Sequence, residues 1–326
     1  MLISIVIPVY KVEEYIERCV QSVIAQDYKG NLECLLIDDC SPDNSCAVIG
    51  DILDRYEGPI KFRLLHHEKN RGLSAARNTG IDNAQGDYIY FLDSDDYISS
   101  DCISKLAAPL TEAEYDIIIG NYSVLGSTET FPPLRLGNRL LTHNNDIIES
   151  YTRYDWYMMA WNKLCNMSFI KRHSLYFREG LIHEDELWSF QCACYANTLK
   201  SIDESTYNYC IRKDSIITSM ELMEIKKRNL VILGYMLDFL ENNGLNNPLY
   251  YDFVKNRHGF IKSYMVKTIC HGEKLDCSIL TIYKSITLRL GCNNTLKDRF
   301  LIFLIFHANN KWASLSLTKI HHVLSR

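Results

Sequence analysis

The first hundred residues repeat one short alternation: an apolar run, a polar cluster, then a stretch with helical spacing. The apolar runs are 3–7, 32–37, 61–65 and 88–92. Short runs of this kind suit strands buried on both faces of a parallel sheet. Between the first two, Val12, Tyr15, Ile16, Cys19, Val20, Val23 and Ile24 recur at helical spacing, which predicts a helix over 12–26. Further helices are expected over 47–56, opened by the turn and cap residues of 41–45, and over 74–84, stopped by Gly86. The pattern predicts an α/β fold, a mostly parallel sheet with helices on both faces.

Open sheets of this type bind ligands beyond the carboxyl ends of their strands. Each apolar run here is followed by an unusual polar group: Tyr10, then Asp38-Asp39, then Asn70-Arg71-Gly72, then Asp93-Ser94-Asp95-Asp96. The last group sets three carboxylates in four residues. Mutual repulsion asks for a positive partner, and oxygen ligands suit Mg²⁺ or Mn²⁺. A D-x-D alone is often a solvated turn; its place at a strand end favours the metal. Asp39 is placed to accept from a ribose or base N–H, or to sit as an acid at a helix start. Arg71 and Arg77 bring positive charge to the same edge, for carboxylates or for phosphate.

Beyond residue 100 the signal is less regular. A strand is expected over 116–119, a Gly-, Thr- and Pro-rich loop over 126–137, and an aromatic stretch over 151–161. Trp161-Asn162-Lys163 offers a ring for a sugar face and polar groups for hydroxyls, although such a tryptophan is more often core. A helix is expected to start near His183. Its acids, Glu184, Asp185 and Glu186, supply candidates for a general base, or simply a helix first turn rich in acids. From 220 onward the chain reads as helices, interrupted at 242–244.

Composition narrows the classes. Hydrophobic residues are 47% and charged residues 23%, as in ordinary globular proteins. The formal net charge of −5 gives no electrostatic basis for nucleic-acid binding. The 12 cysteines contain no C-x-x-C pair, and 2–8 reads as a strand rather than a secretory signal. Reduced cysteines in a cytoplasmic protein are therefore expected. No apolar run reaches the roughly 18 residues of a membrane-spanning helix. The apolar run 301–306 lies among the basic residues Lys284, Arg289, Lys297, Arg299, Lys311, Lys319 and Arg326, with Asp298 acidic between them. That suits either peripheral docking on an anionic membrane face or a helix packed with an ordinary polar side.

The segments 4–10, 36–39, 41–45, 70–78 and 91–96, in that order and spacing, resemble the family 2 glycosyltransferases of the GT-A fold, in the bacterial surface-polysaccharide type. The resemblance implies a nucleotide-binding half over 1–100, an acceptor-binding half over 101–215 and a helical C-terminal region over 216–326. It implies that Pro8, Val9, Tyr10 and Asp39 hold the base. Asn70 stands with the nucleotide, Arg71 and Arg77 stand by the diphosphate or stabilise the site, Asp93 contacts the ribose and metal, and Asp95 ligates Mn²⁺ or Mg²⁺. Through weaker matches it implies Asp185 as catalytic base, Glu184 as orienting the acceptor or the base, and Trp161, Asn162, Lys163 and Arg212 at the acceptor or sugar. The implied reaction is an inverting transfer from a nucleotide sugar, with UDP expected, to a glycan or lipid-linked glycan. Its expected location is the cytoplasm, with the inner face of the membrane as the place of work if the C-terminal region docks there. A nucleotidyltransferase would want a Gly-rich phosphate loop after the first strand, which is absent; a non-catalytic binding module is opposed by the intact acids. One departure stands out. Cys40 occupies a position where the family commonly has Gly, so ordinary backbone angles are expected there.

Overall fold

The computed structural model describes residues 1–126, 134–211, 222–270 and 275–291, with 302, 303, 305 and 306. Arg212, Lys297, Arg299, Lys311, Lys319, Arg326 and most of the expected loop over 126–137 lie outside these residues. The chain divides into two compact units, Met1–Thr218 and Ser219–Arg326.

The first unit opens with the expected alternation. It runs β1 (Leu2–Val9), α1 (Ile16–Ile24), β2 (Asn31–Asp38), α2 (Ser45–Leu53), β3 (Lys61–His66), α3 (Leu73–Asn83) and β4 (Tyr88–Phe91). There follow β5 (Tyr97–Ile98), α4 (Cys102–Ala107), β6 (Ile117–Leu125), β7 (Leu140–Leu141) and α5 (Asn144–Thr152). The unit continues with β8 (Lys163–Asn166), α6 (Met167–Arg172), α7 (Glu184–Tyr195) and β9 (Leu199–Cys210). Among the described residues the strands form one sheet in the order β3-β2-β1-β4-β8-β6-β9-β5, with β7 paired to β9. β3 through β4 are parallel; β8 runs antiparallel to both β4 and β6, and β9 returns parallel to β6. This is the mostly parallel sheet with flanking helices that the alternation implied.

Register creates the ligand rim. Val9 pairs with Asp38 and Asp38 with His66, while Val6 pairs with Phe91, two residues before Asp93. The strand-end polar groups are therefore neighbours across the sheet. α3 lies close on β1: a Cβ at Gly80 would strike Val6, so this position admits glycine alone without movement.

Two local expectations change. The helix over 12–26 is shorter, because Lys11 adopts φ 54 and residues 12–15 form a turn, with Tyr15 N–H donating to Val12 O at 2.9 Å. Cys40 does not take ordinary angles; its φ is 57. The loop is held from both sides, by Asp39 N–H donating to Val9 O at 2.9 Å and Ser41 N–H donating to Asp38 Oδ1 at 2.8 Å. These bonds impose the left-handed turn despite the Cβ, which costs roughly 1–2 kcal/mol.

The second unit contains α8 (Leu222–Asn242), α9 (Pro248–Cys270) and α10 (Cys277–Leu290). Asp276 caps α10, accepting from Ser278 N–H at 2.7 Å, and Gly291 ends it at φ 58. Arg289 ties α10 to Asp238 and Glu241 of α8, each at 2.9 Å. No described helix is long and apolar enough to cross a membrane.

Candidate active site

A cleft of about 1360 Å³ opens at the rim of the first unit's sheet. Single small-molecule sites are commonly about 300–1,000 Å³, so there is room for more than one ligand. Its lining includes Pro8, Val9, Tyr10, Asp39, Asn70, Arg71, Arg77, Asp93, Asp95, Glu184 and Asp185. Residues from strand ends far apart in sequence thus meet the start of α7.

Asp39 is 2% exposed and anchors one wall. Its Oδ1 accepts from Arg71 N–H at 2.8 Å and lies 2.7 Å from His67 Nδ1; its Oδ2 accepts from Gly72 N–H at 2.7 Å. Gly72 stands at φ 88 as the N-cap of α3, a conformation that suits glycine. Asp39 thereby shapes the 70–72 loop, and Oδ2 retains a lone pair toward the cleft. His67, whose Nε2 lies 2.8 Å from Thr79 Oγ1, completes the brace and was not foreseen. The available signal was its position immediately after β3. The Arg71 side chain leaves the loop to pair with Glu179 at 3.0 Å, at the surface.

The Asp93–Asp96 turn separates its three acids by environment. Asp95 lines the cleft and Asp93 faces it partly exposed. Asp96 turns inward: Tyr207 Oη donates to its Oδ2 at 2.5 Å and Cys210 N–H to its Oδ1 at 2.7 Å. Burial, then Asp95 and Asp93, push the Asp96 carboxyl well above its usual range. It fastens β9 to the turn, so that of the three acids Asp93 and Asp95 line the cleft. Arg18 of α1 adds a cation at this edge, donating to Asp95 O at 3.0 Å and lying over the Tyr97 ring at 4.5 Å.

Of the two partners expected for Arg77, carboxylates and phosphate, the structure pairs it with carboxylates. It is 2% exposed, and its guanidinium spends itself on two carboxylates rather than on a diphosphate. Nη2 donates to Asp93 Oδ1 at 2.7 Å and Nη1 to Glu184 Oε1 at 2.6 Å. Burial opposes its charge, but Asp93, Glu184 and Asp185 outweigh that and raise its pKa. Arg77 is thus a strut between the acidic turn and α7. Glu184 is shifted up because burial exceeds the pull of Arg77, which it shares with Asp93.

Asp185 sits in the first turn of α7, behind His183 in left-handed conformation at φ 63. Its Oδ1 accepts from Glu186 N–H at 2.9 Å. A helix N-terminus stabilises the anion and would weaken a base. Burial nevertheless dominates and raises the Asp185 carboxyl above its ordinary value; Arg77 and His183 pull the other way, and Asp93 adds to the rise.

The expectation for Trp161, Asn162 and Lys163 is corrected. They are 2%, 0% and 1% exposed and do not line the cleft. Trp161 stacks on Tyr207 with centroids 4.4 Å apart and planes at 7°, so a buried ring already covers the face offered to a sugar. Asn162 bonds Gly120 O at 3.0 Å, Asn121 O at 2.9 Å, Tyr90 Oη at 3.1 Å and Thr206 Oγ1 at 2.9 Å. Lys163 donates to Met159 O beneath Tyr157, and burial lowers it to about 7.

The first unit is an α/β fold with a cleft lined by carboxylates and arginines at the rim of its parallel strands. Residues 4–178 match the family model described as glycosyl transferase family 2, and the chain belongs to that family. It is 34% identical over 216 residues to the uncharacterized glycosyltransferase EpsJ of Bacillus subtilis, a match covering 64% of this chain and 60% of EpsJ. The crystal structure of S. aureus TarS 1-349 in complex with UDP-GlcNAc is similar at a TM-score of 0.71 and 20% identity, covering 99% of this chain and 92% of that one. The mannosyltransferase PcManGT from Pyrobaculum calidifontis, in complex with GDP-Man and Mn²⁺, matches at 0.55 and 11% identity, over 97% and 86%. The fold is of the GT-A type.

Proposed function

We propose that the chain is an inverting glycosyltransferase that moves a sugar from a UDP sugar to a glycan or lipid-linked glycan acceptor in surface-polysaccharide synthesis. The observation that carries this reading is one cleft lined by Asp39, Asp93, Asp95 and Asp185. Family membership and the UDP-GlcNAc held by TarS support a nucleotide-sugar donor. Residues 1–100 supply the donor side and 101–215 the acceptor side.

In this reading the free lone pair of Asp39 receives a base N–H, with Tyr10, exposed at the cleft mouth, against the base. Asp95, with the Asp93 oxygen not bound to Arg77, fits Mn²⁺ or Mg²⁺, because such ions need one or two carboxylates besides substrate phosphates. A bound ion supplies charge neutralisation for the departing diphosphate. Asp185 takes the proton of the acceptor hydroxyl as that oxygen bonds the anomeric carbon from the face opposite the nucleotide. The bond from that carbon to the diphosphate breaks, and UDP leaves with the electron pair. Arg77 and Glu184 hold Asp93 and Asp185 at their separation. The basic residues about 301–306 support work at the inner membrane face, which flotation with anionic liposomes tests.

The decisive experiment is a hydrolysis and transfer screen of UDP sugars with MnCl₂, beginning with UDP-GlcNAc. Asp185→Asn is expected to lose about 10²–10⁴ in turnover, the usual worth of a general base. UDP binding by calorimetry is expected to stay within about twofold of the parent chain, since the base acts on the acceptor and not on the donor nucleotide. Near-parental turnover in that variant removes Asp185 from the mechanism. Thermal stabilisation by UDP without any turnover of the screened donors points instead to a binding module.

A further inference from the structure

Behind the nucleotide loop, the ends of β2 and β3 and the start of α2 gather three side chains of the kinds that hold transition metals. Asp38 and His66 are register partners and the last residues of their strands. Parallel pairing turns register partners toward the same face of a sheet. Cys46, the second residue of α2, approaches from the helix packed there. Asp38 Oδ2 lies 2.9 Å from His66 Nδ1. One ligand atom from each of Asp38, Cys46 and His66 lies within 4.8 Å of the other two. Zinc bonds of roughly 2.0–2.3 Å need ligand atoms some 3–4 Å apart, so only a small contraction is required.

Asp38 Oδ1 is occupied by Ser41 N–H at 2.8 Å, which fixes the carboxylate while Oδ2 faces the histidine. Asp38 is buried and Cys46 half-buried, whereas the His66 side chain is 57% exposed. The ligands are shielded from water on one side and open to an arriving ion on the other.

We propose that Asp38, Cys46 and His66 form a binding site for a borderline-soft divalent cation, best matched by Zn²⁺. The donor set decides the ion. Thiolate, imidazole and carboxylate select zinc-like metals, while the all-oxygen acids of the cleft suit Mn²⁺ or Mg²⁺. A thiolate and a carboxylate with a neutral imidazole cancel the charge of the ion. The thiol proton passes to solvent as sulfur coordinates. The fourth position faces water on the His66 side. A cation here staples β2, β3 and α2 one residue from Asp39, under the loop that Asp39 braces.

The test titrates CoCl₂ into the full chain under reducing conditions and follows the near-ultraviolet thiolate-to-cobalt charge-transfer band. One equivalent of Co²⁺ is expected to produce the band and ZnCl₂ to displace it. Cys46→Ser is expected to abolish it. His66→Ala, at an exposed position that spares the core, is expected to weaken affinity by about tenfold or more. Asp95→Ala is expected to leave the band intact, which separates this site from the cleft acids. Absence of a band in the parent chain overturns the proposal, as does a band of undiminished affinity in either Cys46→Ser or His66→Ala.

Discussion

The two halves of the sheet-bearing unit build their shares of the cleft by opposite means. In the β1–β4 half, polar groups stand at strand ends and are held largely by backbone amides, as Arg71 and Gly72 hold Asp39. In the half that follows, α7 presents its acids at a helix start, and a buried side chain from the first half meets them, as Arg77 of α3 meets Glu184. Backbone amides in a register-fixed loop need no particular side chain beyond a permissive glycine. Buried ion pairs need both partners, because either one left alone carries an uncompensated charge. The first half therefore shows itself in local sequence, and the second only through distant partners.

Arg77 joins the halves, and removing it is the hardest blow to the contrast. Arg77→Ala strands Asp93 and Glu184 together and is expected to destabilise the unit by about 3–5 kcal/mol, read by urea unfolding. Arg77→Lys, which keeps the charge and loses the fork, is expected to fall between. An Arg77→Ala chain of parental stability would mean the halves are not coupled there.

Trp161→Phe tests whether the second half's aromatic residues are framework. A stacking partner is trimmed but not lost, so a loss on the order of 1–2 kcal/mol in stability is expected. KM for donor and acceptor is expected to stay unchanged, and a large rise in acceptor KM would return Trp161 to the cleft.

The raised carboxyl of Asp185 gives two linked signs. As a base it must be ionised, so turnover is expected to fall as pH drops through a value above the ordinary 3.8. For stability the sign reverses: a raised acid favours the folded chain when protonated, and that contribution is lost as pH rises through the raised value. Asp185→Asn is therefore expected to melt higher than the parent at neutral pH, the gap closing in acid. An unchanged melting temperature at every pH would mean burial does not burden Asp185.

The smallest effect is expected at Cys40. Cys40→Gly relieves the left-handed strain of roughly 1–2 kcal/mol but gives about 0.4–1 kcal/mol back to the unfolded chain. A net gain of up to about 1 kcal/mol is expected by chemical denaturation. A loss would show that the side chain contributes more than its backbone angle costs.

The alternation that produces β1 to β4, and the clustering of Asp39, Asn70, Arg71, Asp93 and Asp95 at one rim, were legible in the sequence alone. Apolar period and turn chemistry are local, and right-handed parallel crossovers bring every strand's carboxyl end to one side. The bounds of α1 and the backbone of Cys40 depart from local preference: Ser41, Ser45 and Asp43 accept from the N–H groups of Lys11, Val12 and Glu13, and bonds to β1 and β2 hold the Cys40 turn. Only the tertiary structure decided that Arg77 serves Asp93 and Glu184, that Asp96 turns inward, and that Trp161, Asn162 and Lys163 lie under the cleft rather than in it. Those outcomes depend on which side chains meet across separations of 16 to more than 100 residues. Local sequence carries residue type and face, while the choice of partner is made by the packing that brings β8, β9 and α7 against the first half.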